Sequence, residues 1–111
     1  MTAAEVDARV RCGWIDQSRL SADDFALYRD YHDTEWGRPL RDSAALFERV
    51  SLEAFQSGLS WLIILRKREN FRAAFDGFDI ARVAAYTADD EARLLANPGI
   101  VRNRLKVAGA I

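Results

Sequence analysis

Tyr28-Arg29-Asp30-Tyr31-His32-Asp33-Thr34-Glu35-Trp36-Gly37 gathers two tyrosines, a tryptophan and the single histidine of the chain into one short stretch. Residues three and four apart share a face of an α-helix, so Phe25, Tyr28, Tyr31 and His32 fall on one stripe. The helix that carries them opens at Ser21-Ala22-Asp23-Asp24. There Ser21 can accept from free backbone N–H groups, and the two acids suit the positive end of the helix dipole. Gly37 and Pro39 end it. On spacing alone the aromatic residues read as core side chains whose polar tips reach partners near the surface. His32 reads as a hydrogen-bonded structural residue unless other ligands converge on it.

The same cap, stripe and stop recur downstream. Asp42-Ser43 opens a second helix running to about Ser57, with Leu46, Phe47, Val50 and Ala54 as its apolar stripe and Gly58 as its stop. Helical periodicity places Glu53, three residues after Val50, on the edge of that inward face. A buried carboxylate is costly unless paired or hydrogen-bonded, so Glu53 snorkels, pairs with an arginine, or serves a site. Ser60 caps a third helix from Trp61 to about Phe75, with Ile64, Leu65, Phe71 and Phe75 inward. Arg66, Lys67, Arg68 and Arg72 are expected largely outward and read as a solvated face.

Gly77 then breaks the chain, Asp79 caps a short helix to about Ala85, and Thr87-Ala88-Asp89-Asp90 opens another that carries Leu94 and Leu95. Asn97-Pro98-Gly99 is a turn, and a last helix is expected to begin at Ile100. Its apolar periodicity is still running at Ile111, as in a helix cut short. Upstream, residues 1–10 read as a flexible lead, and Arg11-Cys12-Gly13-Trp14 as a tight turn. With no repeat, low-complexity segment or strand alternation, the class is all-α.

Composition narrows the function classes. Half of the 111 residues are hydrophobic and the formal net charge is −1, which fits a globular domain and excludes disorder. Any contact with nucleic acid must then come from a local basic face. With Glu5, Asp7 and no apolar run, Met1–Val10 does not read as a secretory signal, and the apolar run Trp61–Leu65 is too short to span a bilayer. A cytoplasmic protein without membrane contact is expected. One cysteine, Cys12, forms no intrachain disulfide and leaves a free thiol or a metal ligand.

Taken in order, several segments resemble the bacterial 3-methyladenine DNA glycosylase I family, an all-α branch of the helix-hairpin-helix glycosylase superfamily. They are Arg11-Cys12-Gly13-Trp14, Tyr31-His32-Asp33-Thr34-Glu35-Trp36-Gly37, Leu52-Glu53-Ala54-Phe55-Gln56-Ser57-Gly58-Leu59-Ser60-Trp61, Lys67-Arg68-Glu69-Asn70-Phe71-Arg72 and Pro98-Gly99-Ile100-Val101-Arg102-Asn103-Arg104. Each is weak alone; their order and spacing carry the resemblance. It implies a monofunctional base-excision repair enzyme that flips 3-methyladenine out of alkylated double-stranded DNA and cleaves its N-glycosidic bond, with no Schiff-base step. In that resemblance Glu53 reads the base edge, Trp61 and Tyr31 form the base pocket, and Trp14, Tyr28 and Trp36 line or support it. No general base is assigned.

The resemblance also makes Cys12 and His32 two ligands of a structural zinc site whose other two, a His and a Cys, lie beyond residue 111. Structural zinc takes four ligands, so residues 11–111 are expected to be a partial glycosylase domain that holds zinc weakly by itself. They would be the N-terminal part of a longer, monomeric enzyme whose C-terminal helices, including the DNA-contacting hairpin, lie downstream. An alternative is an inactive helical fragment or binding module that retains part of the base pocket. A small zinc hydrolase fits poorly, because the spacing of Cys12 and His32 matches no compact catalytic motif.

Overall fold

The computed structural model describes residues 9–111; of the lead expected over 1–10, residues 1–8 lie outside the described residues. The described chain contains helices and turns and no strand, as the all-α reading requires. The order is α1 (Ala22–Thr34), α2 (Ser43–Gln56), α3 (Trp61–Ala74), a 3₁₀ turn (Asp76–Phe78), α4 (Ile80–Ala84), α5 (Ala88–Leu95) and α6 (Arg104–Ala110). They fall into two compact units, one ending at Arg38 and one comprising Pro39–Ile111.

The caps legible in the sequence form as expected. Ser21, Asp42, Ser60 and Asp79 each accept from a backbone N–H in the first turn of the helix they precede, and Thr87 with Asp90 makes a capping box. The last helix departs from expectation. It starts at Arg104, capped by Asn103, and not at Ile100. Ile100 is buried in the core while Val101–Asn103 remain outside regular structure, so burial of Ile100 outweighs propagation of the helix through that residue.

The core of the second unit joins Leu52 and Phe55 of α2 with Ile64, Phe71 and Ala74 of α3, followed by Phe75, Phe78, Val83, Leu94, Ile100 and Val107. The turn that seats Phe78 is strained. Asp76, Gly77 and Phe78 have φ of 52°, 66° and 59°, a left-handed run that costs about 1–2 kcal/mol at each non-glycine position. Phe78 is fully buried and stacks on Phe75 with ring centroids 5.4 Å apart, a burial worth roughly 2–3 kcal/mol. Tyr86 Oη donates to Asp76 Oδ2 at 2.6 Å and holds the entry of the turn. Burial, then the Asp76 carboxylate, pushes the Tyr86 hydroxyl up to about 12.

Helix α2 corrects the expected stripe. Leu46 and Val50 are 48% and 61% exposed and Ala54 is also on the surface, whereas the buried positions are Glu48, Ser51, Leu52 and Phe55. Phe47 alone of the expected four packs inward, edge-on to Phe78. Both sets have helical spacing. Three-dimensional packing chooses the one with a phenylalanine and two arginines waiting opposite. Arg68 and Arg72, expected in solvent, turn onto Glu48: Arg68 Nη2 donates to Oε2 at 3.0 Å, and Arg72 donates to both carboxylate oxygens. The buried carboxylate anticipated on this helix is therefore Glu48, paired with arginine.

Burial by itself would raise the pKa of Glu48, but the hydrogen bonds from Arg72 and Arg68 outweigh it and leave the carboxyl below its ordinary value of 4.5. A carboxylate with a lowered native pKa adds stability that is fully present above the unfolded value and is lost as pH falls through the native one. Glu48→Gln is expected to lower unfolding free energy at neutral pH by about 1–3 kcal/mol, since two guanidinium groups lose their charged partner. The variant should also lose less stability than the parent between pH 5 and pH 3. Urea titrations across that pH range check both effects.

Candidate functional site

The expected site residues divide between the two units. Cys12, Trp14, Tyr28, Tyr31, His32 and Trp36 belong to the first, and Glu53 and Trp61 to the second. Within the first unit α1 presents Tyr28, Tyr31 and His32 from neighbouring turns, as the periodicity predicted. The Arg11–Trp14 turn lies beside them.

Trp14 is the centre of this cluster. Its ring lies edge-on to Tyr28 at 5.1 Å, to His32 at 5.4 Å and to Trp36 at 6.2 Å, and tilted to Tyr31 at 6.3 Å. His32 and Trp36 stack at 5.6 Å with their planes 9° apart. Tyr31 is buried, but Trp14 and Trp36 remain 39% and 51% exposed. Such an assembly presents several ring faces and edges to solvent. Flat, electron-rich surfaces of this kind suit a planar cation.

Asp33, given no role in the sequence, organises the polar side of the cluster. Arg11 forks onto it, Nε to Oδ1 at 3.0 Å and Nη2 to Oδ2 at 2.8 Å, and Arg38 donates to its backbone carbonyl at 3.0 Å. The hydrogen bonds from Arg11 and then His32 hold its carboxyl well below the usual carboxylate range. An ionised carboxylate only accepts, so His32 Nδ1–H is the donor across the 2.9 Å contact to Oδ1. In the neutral ring this leaves the lone pair on Nε2, which faces Cys12 Sγ at 3.3 Å. The one sequence signal for this arrangement was a carboxylate next to the histidine together with an arginine next to the cysteine.

That orientation is the one a metal ligand needs. Zinc bonds of about 2.3 Å to sulfur and 2.0–2.1 Å to nitrogen at a tetrahedral angle set the two atoms about 3.6 Å apart, close to the separation seen. A carboxylate on the far ring nitrogen is the usual outer partner of a ligating histidine. Cys12 and His32 thus fit two corners of a tetrahedron. Among the described residues no group of three or more His, Cys, Asp or Glu side chains converges as a metal site.

In the second unit, Glu53 is exposed and engages in no hydrogen bond or ion pair among the described residues. The expectation of an inward Glu53 is corrected by the rotation of α2. At 100° per residue Glu53 lies roughly 150° from the centre of the face defined by Glu48, Ser51, Leu52 and Phe55. Trp61 opens α3, half-buried against the core. Glu53 and Trp61 thus flank one short connection, residues 57–60.

Asp33→Asn tests the polar hub. A carboxamide can donate as well as accept, so the variant should lose the fixed Nδ1–H tautomer of His32. Nitrogen-15 NMR of the imidazole should show Nδ1 protonated in the parent's neutral ring and both tautomers in the variant. An unchanged tautomer in the variant would contradict the role given to Asp33.

Residues 21–111 match the family model for methyladenine glycosylase. DNA-3-methyladenine glycosylase 1 of Escherichia coli (strain K12) is 48% identical over 101 residues, covering 91% of this chain and 50% of that protein. A crystal structure of 3-methyladenine DNA glycosylase I superposes with a TM-score of 0.81 at 48% identity, over 92% of this chain and 52% of the other. A second structure of 3-methyladenine DNA glycosylase I, a variant in complex with 3-methyladenine, superposes with a TM-score of 0.73 at 45% identity, covering 76% and 45% of the two chains. The chain spans about half the length of the curated relatives it matches. With the family model covering most of its residues, the chain belongs to the methyladenine glycosylase family.

Proposed function

We propose that this chain carries the base-recognition half of a monofunctional DNA glycosylase that removes 3-methyladenine from alkylated double-stranded DNA. Family membership and the likeness to a relative in complex with 3-methyladenine support the substrate. The single observation that carries the reading is the division between the two carboxylates of α2. Glu48 is committed to Arg68 and Arg72, while Glu53, one and a half turns on, projects outward without a partner among the described residues. A carboxylate exposed in this way can accept hydrogen bonds from the N–H edge of a cationic purine and complement its charge.

Methylation at N3 makes the purine a cation and a good leaving group. The reaction breaks the bond between the sugar C1′ and the purine nitrogen, whose electron pair leaves with the base as neutral 3-methyladenine; water adds its oxygen to C1′ and gives up a proton to solvent. A strong general base is then less necessary than a grip on the everted base, whose flipping costs a few kcal/mol. The family resemblance assigns reading of the base edge to Glu53 and stacking to Trp61 in the second unit and, in the first, a pocket role to Tyr31 with Trp14, Tyr28 and Trp36 in support. The enzyme acts as a monomer in the cytoplasm. Among the described residues no helix is long and apolar enough to cross a membrane.

Zinc belongs to the same proposal. The convergence of Cys12 Sγ and the Nε2 lone pair of His32, with Asp33 fixing the ring, supports a structural zinc site completed by ligands from outside residues 1–111. Bound there, the metal would add folding free energy and no catalytic step.

Two measurements test this. A polypeptide of the relatives' length carrying this chain should release free 3-methyladenine from alkylated DNA. Its Glu53→Gln variant should be slower by roughly 10–100-fold, the worth of one charge-assisted hydrogen bond; equal rates would remove Glu53 from base recognition. Elemental analysis of the same polypeptide should find about one zinc per chain. Cys12→Ser and His32→Ala should each deplete it, and zinc retained in both would end the metal assignment.

A further inference from the structure

The connection between α2 and α3 is held from a distant part of the sequence. Leu59 N–H donates to the Gln56 carbonyl at 2.7 Å, Ser57 lies at φ −49° and ψ 120°, and Gly58 at φ +82°. These angles define a type II turn, which needs a left-handed residue at its third position and turns its central carbonyl away from the hydrogen bond that closes it. That outward carbonyl is Ser57 O. Lys106 of α6 donates its Nζ to Ser57 O at 2.6 Å and to Phe55 O, in the last turn of α2, at 2.9 Å. Gln56 Nε2 secures the other side of the turn by donating to Leu59 O at 3.0 Å.

An ammonium at the end of a helix meets carbonyls that have no partner within the helix and complements the negative end of its dipole. Here it also selects the peptide orientation of the turn, because a type I turn would rotate Ser57 O away from Nζ. Glu53 lies in the last turn of α2 and Trp61 at the start of α3. The peptide planes of residues 57–60 therefore set where the carboxylate stands relative to the indole. Lys106 is half-buried, and the backbone amide of its own residue is fixed by the Asn103 cap.

We propose that Lys106 is a positioning residue for base recognition: it touches no substrate, but fixes the α2–α3 turn so that Glu53 and Trp61 are held in one geometry before the base arrives. This rests on the assignment of Glu53 and Trp61 to the base pocket. Positioning to within a fraction of an ångström governs whether hydrogen bonds and stacking act together.

The experiment takes a polypeptide of the relatives' length carrying this chain and compares it with its Lys106→Met, Lys106→Arg and Glu53→Gln variants, reading 3-methyladenine affinity from tryptophan fluorescence and turn order from hydrogen exchange of the Leu59 amide. Methionine keeps the apolar stem without the donor, and arginine keeps charge and donors. Buried amides such as those of Phe71 and Val83 report whether the core stays intact. The expected result is a Kd for 3-methyladenine raised about tenfold or more in Lys106→Met, faster exchange at Leu59, unchanged core exchange, and recovery of both in Lys106→Arg. Lys106→Met with parental affinity, or with parental Leu59 exchange, overturns the proposal. So does faster exchange throughout the core, which would make Lys106 a general stabiliser. A parent chain that binds no 3-methyladenine while Leu59 still responds to Lys106 refutes the base-pocket assignment, and the positioning role falls with it.

Discussion

Phe55 of α2 meets Phe71 of α3 with ring centroids 4.8 Å apart, both rings fully buried, and Glu48 two turns earlier closes the same interface with Arg68 and Arg72. That contact fixes the rotation of α2, and the exposure of Glu53 follows from it. Turning the helix by one position would bring Val50 inward, but it would also pull Glu48 away from two guanidinium groups and Phe55 out of an aromatic core. Apolar burial and charge pairing agree on one orientation. The exposed face of α2 is what that agreement leaves over: Glu53 on one side, and Val50 and Ala54 on the other. The latter two line, with Leu105 and Gly109 of α6, a groove of about 250 Å³.

In the first unit the corresponding constraint is the ionisation of Asp33. Because Arg11 and His32 both donate to it, the carboxylate keeps its charge, the imidazole keeps its proton on Nδ1, and Nε2 is left to face Cys12. A single acid thus orders a thiol, an imidazole and, through the stacked His32 and Trp36 rings, part of the aromatic cluster. The aromatic residues are packed edge against face around Trp14 and yet not sealed, since two of the three indole or phenol rings nearest its rim keep solvent-facing surface. A fully buried cluster would be core. A partly open one is a surface with ring faces on offer.

Both units therefore use paired charges to spare other groups. Arginines neutralise Glu48 and Asp33, while among the described residues Glu53 has no charge partner and Trp14 and Trp36 stay partly exposed.

The sequence by itself determined the helical class, the caps at Ser21, Asp42, Ser60, Asp79 and Thr87, the stop at Gly58 and the membership of α1's aromatic stripe. All of these are local: a cap is settled within three residues, and a stripe by a period of 3.6. The residue types of the candidate site were legible too, through a resemblance carried by short ordered segments. The face of α2 was not, because two interleaved sets of residues obey the same period and only the arrival of Phe71, Arg68 and Arg72 from α3 selects between them. The delayed start of α6, the role of Asp33 and the hold of Lys106 on a turn far back in the chain were likewise decided by tertiary structure. Each depends on groups distant in sequence meeting in space, and local periodicity carries no information about such meetings.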